Sequence, residues 1–286
     1  MNTSTSMHHT VGSLQTLPAM PKTALDILSI ELATDRGNEL LLKTIEKDLA
    51  ISARIIGLAN SPLFGTSRKI MTVVDAATVL GIKRVKMVAL GFAMMSSIAR
   101  NPPGALNVLH LWQHSMAVAL AMDALARAMP RQMRPADDEI YLAGLLHDIG
   151  FLILDYIDPE LSNRFHERLA LETNLSATEI EAQMLEMSHC ELGALLAQHW
   201  NLTDVIVDVL RYHHQGAHEL DSNGKMLVAM THLAEKLLPT FCIPHIEPPA
   251  IDAEEWLALG IPEDRIEEVE AEMRGRAEEI ASAFSG

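Results

Sequence analysis

Apolar residues recur at spacings of three and four along almost the whole chain, which is the period of an amphipathic helix. Runs rich in β-branched residues that alternate apolar with polar positions, as strands do, are missing. The pattern therefore predicts an all-α fold with bundle-like packing. Helices are predicted over residues 23–32, 38–47, 51–59, 73–80, 83–99, 107–128, 137–147, 159–172, 176–186, 190–199, 203–213, 225–237 and 262–284.

Clusters of proline and glycine mark the divisions between these helices. Asn101-Pro102-Pro103-Gly104 separates two very apolar helices and is the best internal boundary. Because so short a turn holds its flanking helices close, we expect two subdomains packed against each other. The predicted organisation is a disordered leader (1–13), an N-terminal helical subdomain (14–103), a second helical subdomain (104–240), and a proline-containing segment with an acidic C-terminal helix (241–286).

Composition and charge narrow the classes of function. The 286 residues are 49% hydrophobic, and 38 acidic against 22 basic residues give a net charge of -16, which disfavours direct binding of nucleic acid. Two cysteines form no disulfide framework, and no apolar run reaches the roughly 18 residues of a membrane span. We therefore expect a cytoplasmic protein without a membrane segment. A Gly-rich phosphate loop and a Gly-x-Ser-x-Gly elbow are also missing, which excludes the common nucleotide-cradle and serine-hydrolase classes.

The candidate chemistry starts at His147-Asp148, where an apolar helix ends. A buried aspartate needs a cation or hydrogen bonds, and an adjacent imidazole and carboxylate suit a divalent metal. Bundled helices can bring further histidines to the same point, and such a set suits iron, manganese, nickel or zinc. The candidate residues at the ends of predicted helices are His114, His147, Asp148, His189, His213 and His214.

With these residues, the chain resembles the HDOD family, the HD-related output domains of bacterial signalling proteins, from about residue 14 to residue 238. The first half carries the resemblance in Leu17-Pro18-Ala19-Met20-Pro21, Ile45-Glu46-Lys47-Asp48-Leu49-Ala50, Leu58-Ala59-Asn60-Ser61 and Ala76-Ala77-Thr78-Val79-Leu80-Gly81. The second half carries it in Trp112-Gln113-His114-Ser115, residues 143–150, His189-Cys190-Glu191-Leu192-Gly193-Ala194 with Trp200, and Tyr212-His213-His214.

The resemblance implies a small N-terminal helical bundle packed on a C-terminal domain similar to HD-type metal-dependent phosphohydrolases. It also implies a metal-ligand series that begins at His114, continues through His147 and Asp148, and adds His189, His213 and His214. The series should end in an aspartate. In this chain His232 is expected to replace that aspartate, which weakens the case for catalysis more than the case for metal binding.

Two functions remain open at this point. The first is a signalling regulator that acts through contacts with other signalling proteins, with a partly retained metal site and no catalysis. The second is a metal-dependent phosphohydrolase or cyclic-nucleotide phosphodiesterase, in which Asp148 would be the catalytic residue. The tripeptide Gly-Tyr-Pro that marks one subgroup of HD phosphodiesterases does not accompany the dyad.

Overall fold

The computed structural model describes residues 17–66, 68–99, 103–172, 174–215, 222–238 and 251–283. These residues form α-helices and short 3-10 turns without a β-strand, which confirms the predicted all-α class. The N-terminal helices are α1 (Lys22–Leu28), α2 (Asp35–Glu46), α3 (Leu49–Ala59), α4 (Val73–Leu80) and α5 (Ile82–Ile98).

The helices of the second half follow in the predicted order. They are α6 (Val108–Ala128), α7 (Asp137–Leu146), α8 (Gly150–Ile157), α9 (Pro159–Leu171), α10 (Ala177–Met184), α11 (His189–His199), α12 (Asp204–Tyr212), α13 (Ser222–Leu237), α14 (Ala253–Ala258) and α15 (Glu263–Ala283). Helix α8 was not predicted. Its residues are apolar almost throughout, so they show no period of 3.6 that would distinguish a helix from a buried loop.

The N-terminal helices pack directly on the second half. Helix α5 contacts α7 and α8. The indole N–H of Trp200, at the end of α11, donates a 2.9 Å hydrogen bond to the carbonyl of Pro18. The predicted leader and residues 239–250 lie outside the described residues, as do residues 100–102, so the boundary after residue 103 stays a prediction.

Helix α6 is the centre of the core. Asn107 caps its first turn by accepting a hydrogen bond from the backbone N–H of His110, and its side chains are buried around almost the whole circumference. Helices α7 and α15 both pack against it. Helix α15 is acidic, yet its Arg276 is buried, and the guanidinium lies 3.0 Å from the carboxylate of Asp123 on α6.

The segment Asp137–Ile157 is long and apolar enough by composition to span a membrane, but 89% of its most apolar window is buried inside the fold. It consists of α7, the turn at residues 147–149 and α8. This burial is typical of a core element in a soluble domain.

Gly144 and Gly150 let the core helices approach closely, and a substitution at Gly150 tests this packing. A methyl group at Gly150 would lie 1.8 Å from the carbonyl oxygen of His189, a backbone atom that cannot yield. We expect Gly150→Ala to lower the free energy of unfolding by about 1–3 kcal/mol. The measurement is urea denaturation of the full chain.

Gly275 in α15 is the matched control, because a methyl group there would meet no described atom within 4 Å. Gly275→Ala should leave stability unchanged or raise it by about 0.5–1 kcal/mol. Equal effects of the two substitutions would contradict the packing argument.

Candidate metal centre

The His147-Asp148 dyad lies in the turn that joins α7 to α8. The Nδ1 of His147 donates a 2.8 Å hydrogen bond to the carbonyl of Gly144, one turn earlier on α7. That bond fixes the tautomer and leaves Nε2 as the free nitrogen, which is how metal-binding histidines are commonly oriented. His147 is fully buried and Asp148 is 7% exposed, so the dyad faces the interior.

The first group of donors surrounds one oxygen of Asp148. Its Oδ2 lies 3.6 Å from Nε2 of His114 on α6 and 3.3 Å from Nε2 of His147. The two imidazole nitrogens are 3.3 Å apart. On the far side, Oε1 of Glu235 on α13 lies 2.7 Å from His114 and 3.1 Å from His147. Two nitrogens and one carboxylate oxygen therefore lie within 4.8 Å of one another, and the Glu235 oxygen contacts both nitrogens.

The second group of donors surrounds the other oxygen of the same carboxylate. Oδ1 of Asp148 lies 3.4 Å from Nε2 of His189 at the start of α11 and 3.6 Å from Nε2 of His213, just after α12. His214 and Cys190 complete this group, whose four donor atoms other than the carboxylate all lie within 4.8 Å of one another. Asp148 thus lies between two groups of donors.

The structure brings six of the seven predicted residues together and leaves His232 outside. Nδ1 of His232 donates a 2.7 Å hydrogen bond to the carbonyl of His213, and its Nε2 lies 3.7 Å from the carboxylate of Glu255. Glu235, three residues later on α13, places a carboxylate oxygen next to His114 and His147 instead. Both residues belong to one helical stretch, so the sequence contained the signal, but only packing shows which of them faces the centre.

The neighbours of the histidines hold their rings in place. Oε1 of the buried Glu181 accepts 2.8 Å hydrogen bonds from both the backbone N–H and Nδ1 of His189. Nδ1 of His213 donates to the carbonyls of Val209 and Leu210, at 3.0 and 3.1 Å. In both residues the outer nitrogen is occupied, so Nε2 is directed at Asp148.

Charges in the first group compensate one another. Burial alone would raise the pKa of Asp148 and Glu235, but the neighbouring imidazoles outweigh it and hold both pKa values well below their usual range. Burial likewise opposes a charge on His147, and the two carboxylates overcome it and raise the pKa of that imidazole. A cation in this place would take over the role of the imidazole protons.

The second group shows the same balance with a thiol in it. Burial would raise the pKa of Cys190, but His189 and His213 lower it to about 6. Burial opposes the charge of His213, yet Cys190 and Asp148 raise its pKa to about 9. Burial and the neighbouring imidazoles lower the pKa of His214 well below its usual value, so this ring is neutral and free to act as a ligand.

The positions of these donor atoms suit metal ligation better than hydrogen bonding to one another. Oδ1 of Asp148 and Oε1 of Glu235 accept no well-formed hydrogen bond from the described part of the chain, although imidazole nitrogens lie 2.7 to 3.6 Å from them. Imidazole nitrogens and buried carboxylate oxygens that lie this close without well-formed hydrogen bonds are typical of groups that ligate a metal. The buried histidine and carboxylate cluster is therefore compatible with a metal site.

Comparison with known proteins places this arrangement in a family. The sequence profile of the HDOD domain matches residues 17–216. The chain belongs to the HDOD family. A structure of an HDOD domain protein of unknown function from Geobacter sulfurreducens is 26% identical, with a TM-score of 0.63 over 90% of this chain and 92% of that one.

Two other similar proteins are longer than this HDOD chain. A candidate signal transduction protein from Marinobacter aquaeolei VT8 is 24% identical with a TM-score of 0.75, and the match covers 99% of this chain but 62% of that one. A protein from Treponema pallidum (strain Nichols) is 25% identical over 206 residues, which are 71% of this chain and 38% of the relative. The chain thus spans 62% of the first of these relatives and 38% of the second.

We expect a substitution at Glu235 to weaken metal binding and one at His232 to leave it nearly unchanged. Glu235→Gln removes a negative charge next to His114 and His147, and we expect it to weaken metal binding at least about tenfold. His232→Gln changes a residue whose nitrogens contact Glu255 and the His213 carbonyl, and it should leave binding little changed. Competition against a chelator measures both; greater loss in His232→Gln would contradict the assignment.

Glu181 is expected to act by positioning His189. Glu181→Ala removes the acceptor of two hydrogen bonds and should weaken metal binding by about 10–100-fold. Glu181→Gln keeps an acceptor oxygen in the same place and should restore most of the affinity. The readout is chelator competition together with the melting temperature; equal losses in the two variants would show that charge, and not orientation, is what matters.

Proposed function

We propose that this chain is a cytoplasmic HDOD regulator that acts through contacts with other signalling proteins, and that its buried centre binds metal without turnover. Membership of the HDOD family supports the regulatory part, and the converging donors support the metal. The net charge of -16 favours protein partners over nucleic acid.

Two metal positions are proposed, one on each side of Asp148. His114, His147 and Glu235 would hold the first, and His189, His213 and His214 the second, with one oxygen of Asp148 facing each group. Donor sets of imidazole and carboxylate suit iron, manganese, zinc or nickel. When bound, such ions act as Lewis acids that polarise phosphate oxygens and activate water.

Burial of the donors is the observation that favours regulation over catalysis. His147, His189 and His213 are completely buried, His114 is 3% exposed and Asp148 is 7% exposed. A catalytic metal keeps a coordination position open to substrate, whereas a structural metal is enclosed by its ligands. Among the donors of the centre, only His214 and Glu235 are partly exposed.

A second candidate function is a metal-dependent phosphohydrolase, and Glu235 is the observation that favours it. In the sequence, a carboxylate is missing at the expected end of the ligand series, which disfavours catalysis. Because Glu235 supplies a carboxylate oxygen 2.7 Å from His114, the loss of that aspartate does not exclude turnover. In an enzyme, the bridging Asp148 would be the catalytic residue.

Hydrolysis assays on metal-loaded protein separate the two functions. We expect the full chain, stripped with chelator and reloaded with manganese, iron or zinc, to gain thermal stability without hydrolysing a chromogenic phosphodiester or cyclic dinucleotides. Stability should rise because the ion binds the folded state and not the unfolded one. Asp148→Asn should lose this metal-dependent gain.

Metal-dependent turnover that disappears in Asp148→Asn would instead support the phosphohydrolase. Cross-linking in the cells that produce the protein tests the regulatory part, and it should recover a defined signalling protein bound to the full chain. A chain that hydrolyses phosphoesters and recovers no such protein would overturn the proposal.

A further inference from the structure

Cys190 lies inside the second group of donors. It directly follows His189 in the first turn of α11, which Ser188 caps by accepting from the backbone N–H of Glu191. Its sulfur lies 3.5 Å from Nε2 of His189 and 4.0 Å from Nε2 of His213, and the residue is 3% exposed. The thiol therefore faces the same point as the two imidazoles.

The spacing of these atoms is closer to that of tetrahedral ligands than to that of ligands at right angles, although one sulfur–nitrogen distance is longer than either. With metal–nitrogen bonds near 2.05 Å and a metal–sulfur bond near 2.3 Å, a tetrahedral angle separates two nitrogens by about 3.3 Å and a sulfur from a nitrogen by about 3.6 Å. The corresponding distances at a right angle are about 2.9 and 3.1 Å. The nitrogens of His189 and His213 are 3.3 Å apart, and the sulfur distances are 3.5 and 4.0 Å.

An independent observation points to a ligand in the same place. Oδ1 of Asp148 is buried, accepts no well-formed hydrogen bond from the described residues, and lies 3.4 Å from His189 and 3.6 Å from His213. A buried free cysteine is more often a small apolar core residue. Cys190 differs because two ring nitrogens and this carboxylate share its surroundings.

We propose that the sulfur of Cys190 is a ligand of the metal ion held between His189 and His213. This inference rests on the metal-binding part of the proposed function. On binding, the thiol gives its proton to solvent and the sulfur lone pair forms the metal–sulfur bond, so no oxidant or reductant is needed. The ligand set is then His189, Cys190, His213 and His214, whose donor atoms lie within 4.8 Å of one another.

The consequence is a centre with two unlike positions. The position between His114, His147 and Glu235 offers nitrogen and oxygen alone, which manganese and iron accept. The position that includes Cys190 adds a soft thiolate, which selects zinc, iron or cobalt over manganese and magnesium. The centre would then hold two different ions when several are offered.

Cobalt absorption tests the sulfur ligand directly. The full chain is stripped with chelator and titrated with Co²⁺, which shows visible ligand-field bands in any tetrahedral site and a near-ultraviolet charge-transfer band only with thiolate. We expect both bands in the unaltered chain. Cys190→Ser should keep the ligand-field bands and lose the charge-transfer band, whereas Cys242→Ser, the control at the other cysteine, should keep both.

The other outcomes refute either the Cys190 ligand or the metal centre as a whole. Ligand-field bands without charge transfer in the unaltered chain, or charge transfer that disappears in Cys242→Ser, would refute the Cys190 ligand and leave the metal centre standing. A chain that binds no cobalt would refute the metal centre itself. Should Cys190→Ser fail to fold, X-ray absorption at the cobalt edge of the unaltered chain decides, because sulfur at about 2.3 Å is resolved from nitrogen and oxygen at about 2.1 Å.

Discussion

The carboxylate of Asp148 is the group on which the arrangement of the second half depends. Both of its oxygens are buried, and each faces a separate group of imidazoles. A buried carboxylate is strongly unfavourable unless positive charge or hydrogen bonds compensate it. That compensation comes from His114 on α6, from His189 at the start of α11 and from His213 just after α12, so these elements must converge on one side chain. The same packing and the same charge compensation therefore determine both the fold and the centre.

Convergence requires the helices around the dyad to approach more closely than ordinary side chains permit. A methyl group at Gly144 would lie 2.5 Å from Cα of Ala119 on α6, and one at Gly150 would meet the backbone of His189. The two glycines flank the dyad. They bring His114 and His189 within reach of Asp148 from opposite sides, so their absent side chains contribute to the centre as directly as the ligands do.

Much of this could be predicted from the sequence because helix periodicity and ligand chemistry are local properties. The all-α class and most helices followed from spacing, and six candidate residues meet in the structure. Two failures have physical causes. Residues 150–155 of α8 are buried in succession, so no polar face reveals the period of the helix. His232 and Glu235 lie on one helix, and the sequence does not determine how that helix rotates about its axis when α13 packs.

Glu235 places a carboxylate beside His114 and His147, so the missing aspartate alone does not disfavour catalysis. A full set of donors suggests catalysis only if the centre is also accessible, and most of these donors are buried. A metal that binds only the folded chain contributes its binding free energy to folding, and it does so whether or not a substrate ever reaches it. Six nitrogen and sulfur donors around two carboxylates can therefore have a stabilising or signalling purpose. Whether the helices around Asp148 open, and not whether the ligands are present, then separates a regulator from an enzyme.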